Sequence, residues 1–151
     1  MIIVKLLPDQ VSNLWDSVRY AIMSSIAPII DPTPENMQTI LCQLLKGDMQ
    51  CWCVYSEDKE IYGYWTTSIS VDINTQYRTM ILYSLFAYKQ WSKETWDQSY
   101  DALEKFAKAN NCQRIAAYSS NPTAISVAGR YGFSKDYTYL VKDIGGKNES
   151  L

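Results

Sequence analysis

Residues 121–133 read NPTAISVAGRYGF, and this stretch decides the fold. Asn121 or Ser120 precedes Pro122, which is how a helix opens: a short polar side chain accepts a first-turn N–H, and the proline ring presets the helical φ. The helix runs to Tyr131 and Gly132 ends it, since a glycine takes the left-handed conformation at no steric cost. Before it, residues 114–118 (RIAAY) read as a strand. After it, residues 133–144 (FSKDYTYLVKDI) alternate apolar and polar side chains, the pattern of a last strand.

Upstream, residues 92–110 carry Trp96, Tyr100, Leu103, Phe106 and Ala107 at helical spacing, with Ser92 or Thr95 as N-cap and Asn110-Asn111 as the stop. Three strand-like runs precede that helix, at residues 50–55, 61–73 and 77–88, joined by polar turns at 57–60 and 74–76. Short turns between successive strands predict an antiparallel meander. The apolar centre of 77–88 (YRTMILYSLFAY) predicts a strand inside the sheet. The first half reads as a strand at 2–7 and a helix at 10–25. A proline-rich loop at 27–34 follows, then a helix opened by Thr33 or Pro34 and ended by Gly47. The order is β-α-α-β-β-β-α-β-α-β, an α+β fold with a mixed, mainly antiparallel sheet flanked by helices. Nothing resembles a linker or a repeat, so one domain is expected over residues 1–144, with a polar tail at 145–151.

Composition narrows the chemistry. The chain has 151 residues, 47% of them hydrophobic, and a net charge of -2. That balance offers nothing to a nucleic-acid backbone, and no apolar run reaches the ~20 residues a membrane-spanning helix needs. A cytoplasmic location is expected, in a cell or in a host cell. There is no histidine, which removes Ser-His-Asp and Cys-His catalysis. The four cysteines (Cys42, Cys51, Cys53, Cys112) contain no C-x-x-C pair, so no metal site is expected. They read instead as reduced, partly buried thiols.

With the order and the 121–133 run in place, the chain resembles the GNAT superfamily of acyl-CoA N-acyltransferases over its whole length. Asn121, Ala124, Val127, Arg130, Gly132 and Phe133 match that family's last-helix pattern, and the helix at 100–110 with the strand at 114–118 is similar to its central helix and following strand. The resemblance implies an acyl-CoA whose pyrophosphate sits where the central strand turns into the central helix, a natural anion site. It also implies a pattern there of Gln or Arg, two residues, Gly, one residue, then Gly or Ala. This chain has Tyr88-Lys89-Gln90-Trp91-Ser92-Lys93-Glu94-Thr95-Trp96, with Glu94 and Trp96 at the two glycine positions. The family's proton-donating tyrosine falls on Ala128; Tyr131 lies three residues along, about 60° away on the helix. No carboxylate stands on 77–88, which leaves Asp72 as the candidate base.

These departures set the functional expectations. The first is a non-catalytic GNAT-fold protein that works by binding a protein partner or a second copy of itself. Trp91, Trp96 and Tyr88 are its interaction candidates, and Trp52 and Trp65 add to the aromatic excess. Degenerate domains of this kind occur among tailed-phage virion components, so a phage or virion setting is compatible. No cofactor goes with this reading. The alternative is an N-acetyltransferase transferring from acetyl-CoA to a primary amine, its phosphates held by Lys89, Gln90 and Lys93, with Asn121 as a further cofactor-binding candidate and Asp72 or Tyr131 handling protons. A third is a small-molecule sensor using the cleft between 77–88 and 114–118.

Overall fold

The computed structural model describes residues 1–26 and 30–145. Part of the expected 27–34 loop, and all of the expected tail but Gly145, lie outside them. The chain forms two compact units, residues 1–117 and 118–151.

The first unit is a five-stranded sheet in the order β1-β2-β3-β4-β5, built from β1 (Ile2–Lys5), β2 (Met49–Tyr55), β3 (Ile61–Val71), β4 (Arg78–Ala87) and β5 (Arg114–Ala117). The first four strands pair antiparallel, and β5 joins β4 in parallel. The meander and the internal position of residues 77–88 are as expected. A parallel pair needs a crossover, which α4 (Lys93–Ala109) supplies.

Helices α1 (Pro8–Asn13), α2 (Trp15–Ile26) and α3 (Pro34–Lys46) cover one face. Val11, Val18, Ala21, Ile22, Met37, Ile40 and Leu44 pack there on Cys51, Cys53 and Tyr64 of the sheet. The expected single helix at 10–25 is instead α1 and α2, separated at Leu14, where ψ is 13° and helical geometry is lost. Apolar periodicity passes through this break unchanged, because both helices turn the same kind of face to the sheet. In α3, Thr33 caps the start by accepting from Asn36 N–H at 3.1 Å, and Gly47 stops it at φ 85°.

The opposite face is covered by α4, against Trp52, Val54, Trp65, Leu82 and Leu85. Trp52 and Trp65 stack at 5.6 Å, and Phe106 of α4 meets Trp52 edge-on at 5.2 Å. The Trp52 indole N–H donates to Thr67 Oγ1, which donates to Gln50 Oε1, so these buried polar groups are satisfied within the sheet.

The second unit contains α5 (Pro122–Arg130), with Asn121 Oδ1 accepting from Thr123 and Ala124 N–H and Gly132 at φ 88°. The cap and stop read from 121–133 are therefore present. The last strand expected at 133–144 is not: the backbone there is irregular, with no ladder partner among the described residues. Tyr137, Leu140, Val141 and Ile144 are exposed. Alternation marks a segment able to enter a sheet, but only a paired edge makes it a strand.

Candidate functional site

The site is framed by the end of β4. Strand β5 pairs with β4 only from Thr79↔Arg114 to Leu82↔Ala117. Strand β3 stays paired with β4 as far as Gly63↔Ala87. From Tyr83 to Ala87, the β4 edge turned away from β3 therefore pairs with no strand among the described residues. The β3–β4 register also slips here: Thr66 faces Ser84 and Thr67 faces Leu82, leaving Tyr83 as an extra residue. A bulge of this kind bends a strand and re-aims its side chains and backbone. It explains why Leu82 and Leu85 both face α4 while Tyr83 and Phe86 pack on the α1–α3 side.

The side chains at this end are aromatic and hydroxylic. Tyr64, Phe86 and Tyr88 meet edge-on, with centroids 6.2 Å (Tyr64–Tyr88) and 5.0 Å (Phe86–Tyr88) apart, and Tyr20 of α2 meets Phe86 at 5.6 Å. Ser17 Oγ lies 3.0 Å from the Tyr64 hydroxyl and 3.3 Å from that of Tyr88, which donates to Ser17 O. This chain of three hydroxyls runs from the core to the half-exposed Tyr88. Sequence reading missed it, because Ser17 and Tyr88 are distant in the chain. The bulge left one signal in the sequence: Leu82 and Leu85, three apart, break strict alternation.

Burial pushes the Tyr64 phenol up to about 12, an effect its hydrogen bond to Ser17 partly opposes. On the same face, burial first and the neighbouring Cys53 second push the Cys51 thiol up to about 12, and burial pushes Cys53 to about 11. The folded chain keeps three protons that the unfolded chain releases from ordinary values of 9.0 (thiols) and 10.0 (phenol). Stability is thus whole below pH ~9 and is lost progressively as pH rises towards ~12. The urea midpoint should be flat to about pH 9 and then fall. At pH 8, iodoacetamide should label the exposed Cys42 while sparing the buried Cys51 and Cys53 in the native protein, as read by mass spectrometry. Rapid native labelling of Cys51 would contradict the burial.

The β4–α4 connection is closed. Trp91, expected as a surface aromatic, is 5% exposed. Its indole N–H donates to Tyr62 O at 3.0 Å, and its ring lies against Gly63, Trp65 and Trp96. Trp52 and Trp65 are core residues as well. The aromatic excess is thus largely spent inside the unit, while Trp96 is half-buried and Tyr88 stays 40% exposed. Ser92 caps α4, its Oγ accepting from Thr95 N–H at 3.1 Å. Glu94 stands exposed in the first turn.

The other candidates fall in separate places. Lys89 Nζ is 2.8 Å from Glu60, and Lys93 Nζ is 2.9 Å from Asp97. Gln90 is exposed between them. Asp72 accepts from Asn74 and Thr75 N–H, which makes it the organiser of the β3–β4 turn, at the far end of the hairpin from the bulge. In the second unit, Asn121 is spent on capping α5 and Tyr131 forms that helix's C-cap. Among the described residues no cluster could hold a metal, and no helix is long and apolar enough to cross a membrane. Two shallow cavities, of about 340 and 280 Å³, lie elsewhere, the larger between α2 and α3.

Acetyl-CoA can be tested against this frame end by end. An unpaired strand edge suits the two amides of a pantetheine arm, which can pair as an added strand does. The pyrophosphate does not fit as the resemblance requires. The helix start has Glu94 and Trp96 in place of the two glycines, a side-chain cap at Ser92 and Trp91 packed on Trp96, and both nearby lysines are already paired.

Neither a protein-family model nor a curated protein sequence matches this chain. Solved structures do. One is a predicted acetyltransferase of Clostridium acetobutylicum solved with acetyl-CoA: 18% identical, TM-score 0.69, covering 93% of this chain and 95% of that one. Another is AAC(6')-Iy in complex with a bisubstrate analogue, CoA-S-monomethyl-acetylneamine: 14% identical, TM-score 0.69, covering 95% and 97%. A third is the ribosomal-protein-alanine N-acetyltransferase of Brucella melitensis biovar Abortus 2308: 10% identical, TM-score 0.69, covering 95% and 100%. At these identities the likeness is one of fold. With the mainly antiparallel sheet, the parallel β4–β5 pair and the flanking helices, it establishes that the chain has the fold of the GNAT acetyltransferases.

Proposed function

We propose that this chain is a GNAT-type N-acyltransferase that moves an acyl group from a thioester donor to a primary amine. The observation that carries this reading is the bulged, unpaired end of β4. It offers a strand edge along which an extended thioester arm can pair, beside a bulge that re-aims the local backbone. In the reaction the amine nitrogen bonds to the thioester carbonyl carbon, the C–S bond breaks, and the amine proton passes to the departing thiolate. With no histidine in the chain and no carboxylate on β4, the hydroxyls at this end include those of Tyr64, Ser17 and Tyr88, with the phenol of Tyr83 at the bulge. Tyr64, protonated at neutral pH, shares a hydrogen bond with Ser17 in which either hydroxyl can be the donor, and does not act as a base.

The test is thiol release from acetyl-CoA and from S-acetyl-pantetheine in the presence of a panel of primary amines. Melting temperature is followed in parallel, because a ligand of the folded state raises it. Release above the protein-free rate with at least one donor is expected. No release and no shift with either donor at millimolar concentration would sink the reading.

A second reading is favoured by the closed start of α4: a non-catalytic GNAT-fold protein acting through a protein partner or through self-association. The Ser92 cap, Glu94 and the ion pairs at Lys89 and Lys93 all work against a bound anion there. Its signature would be the absence of thiol release together with a solution mass above that of one chain, or stable capture of one partner.

A further inference from the structure

We propose that the acyl donor of this site is a pantetheine-arm thioester lacking the adenosine diphosphate of coenzyme A. The inference rests on the acyltransferase reading and concerns which thioester that site accepts.

The two ends of the site differ in what they can hold. Residues 83–87 of β4 give about 17 Å of strand edge, at about 3.4 Å per residue, with no strand on one side among the described residues. That length and that chemistry suit an extended arm with two amides, which needs only backbone N–H and C=O groups to pair with. The far end, where β4 passes into α4, is where a nucleotide diphosphate would fall. Within residues 88–96, and on the side chains these residues contact, stand two cations, Lys89 and Lys93, and three carboxylates, Glu60, Glu94 and Asp97. The balance is one negative charge before any ligand arrives. Both cations already sit within 3 Å of a carboxylate. A phosphate would compete with those carboxylates for each ammonium while Glu94 repels it.

Shape agrees with charge. Close approach of a diphosphate to backbone N–H groups needs residues without side chains, and this connection contains no glycine. Its buried tryptophan, Trp91, cannot swing aside cheaply: it is bonded to Tyr62 O and fitted against Gly63. An arm that stops short of the diphosphate asks nothing of this region. Such an arm occurs free, as an acyl-pantetheine, or attached to a carrier protein. The thioester chemistry is the same in both, and the transfer releases one thiol per amide formed.

Calorimetric titration of the whole chain with S-acetyl-pantetheine, acetyl-CoA and 3′-phospho-ADP tests this. S-acetyl-pantetheine should bind at least as tightly as acetyl-CoA, and the free nucleotide should not compete. An acetyl-CoA affinity about tenfold or more above that of S-acetyl-pantetheine, equivalent to 1.4 kcal/mol from the nucleotide, would overturn the inference and leave the acyltransferase reading standing. Binding of neither thioester would overturn both. The Glu60→Gln/Glu94→Gln variant gives a second readout. Freeing Lys89 and removing the helix-start carboxylate should tighten acetyl-CoA about fivefold or more at low salt and leave S-acetyl-pantetheine unchanged. Equal tightening of both ligands would count against the assignment. An acetyl-loaded carrier protein in the same titration identifies the source: tighter binding than the free arm points to the carrier, and equal binding to the free arm, and either result upholds the inference.

Discussion

Trp91→Ala is expected to destabilise the protein by about 3–5 kcal/mol, the range for truncating a large buried aromatic. For a chain of this size, that lowers the melting temperature by roughly 6–20 °C, at about 2–4 °C per kcal/mol. The loss comes from packing. The ring touches Trp96 with a centroid distance of 4.6 Å and Trp65 with one of 6.4 Å, and it covers Gly63. Its hydrogen bond matters less, because Tyr62 O also accepts the Tyr88 N–H at 2.9 Å and is not orphaned when the indole goes. Trp91→Phe, which keeps an aromatic ring and loses the N–H, should therefore cost only about 1–2 kcal/mol. Urea denaturation of the two variants measures the difference. Were Trp91 a surface residue, both variants would fall within about 0.5 kcal/mol of the parent.

The contrast between the two tryptophan readings shows what the sequence could carry. Features set by neighbours in the chain were legible: Ser92, Thr33 and Asn121 as caps, Gly47 and Gly132 as stops, and the meander with its short turns. The Lys93–Asp97 pair is of the same local kind, since residues four apart meet on one helix face, but the acetyltransferase alternative assigns Lys93 to phosphate instead. Features that depend on what lies across the sheet were not. A count of aromatics cannot say that Trp52, Trp65 and Trp91 pack in one cluster under α4, so a core read as a sticky surface. The bulge at Tyr83 belongs to the pairing of β3 with β4, and β4 alone shows it only as the break in alternation between Leu82 and Leu85. The Lys89–Glu60 pair joins two connections far apart in sequence, and it removes a cation that seemed free for phosphate. The alternating 133–144 segment erred in the other direction, a clear pattern with no partner among the described residues. The candidate site was thus legible in its location, through the resemblance and the position of 88–96, and illegible in its chemistry.

Gly63→Ala is the second large effect, about 2–4 kcal/mol of lost stability from overpacking a buried strand. A methyl group here would stand 2.5 Å from Phe86 O and 2.7 Å from Cζ2 of Trp91. The first obstacle is the backbone of the paired strand, which cannot move without disturbing the β3–β4 ladder at Tyr64↔Phe86. The second is a side chain that can be deleted. Gly63→Ala should therefore cost about 1 kcal/mol less in a Trp91→Ala background than in the parent, and still be destabilising, because the carbonyl contact remains. Gly129 in α5 has open space around its Cβ position, so Gly129→Ala should be neutral or gain up to about 1 kcal/mol, which controls for the generic effect of losing a glycine. A Gly63→Ala penalty identical in both backgrounds would mean that Trp91 does not sit on Gly63. The β4–α4 connection would then be free to open, and the argument that its tryptophan bars a nucleotide would lose its structural basis. A coupled penalty makes that connection part of the core, held by the sheet rather than available to a ligand.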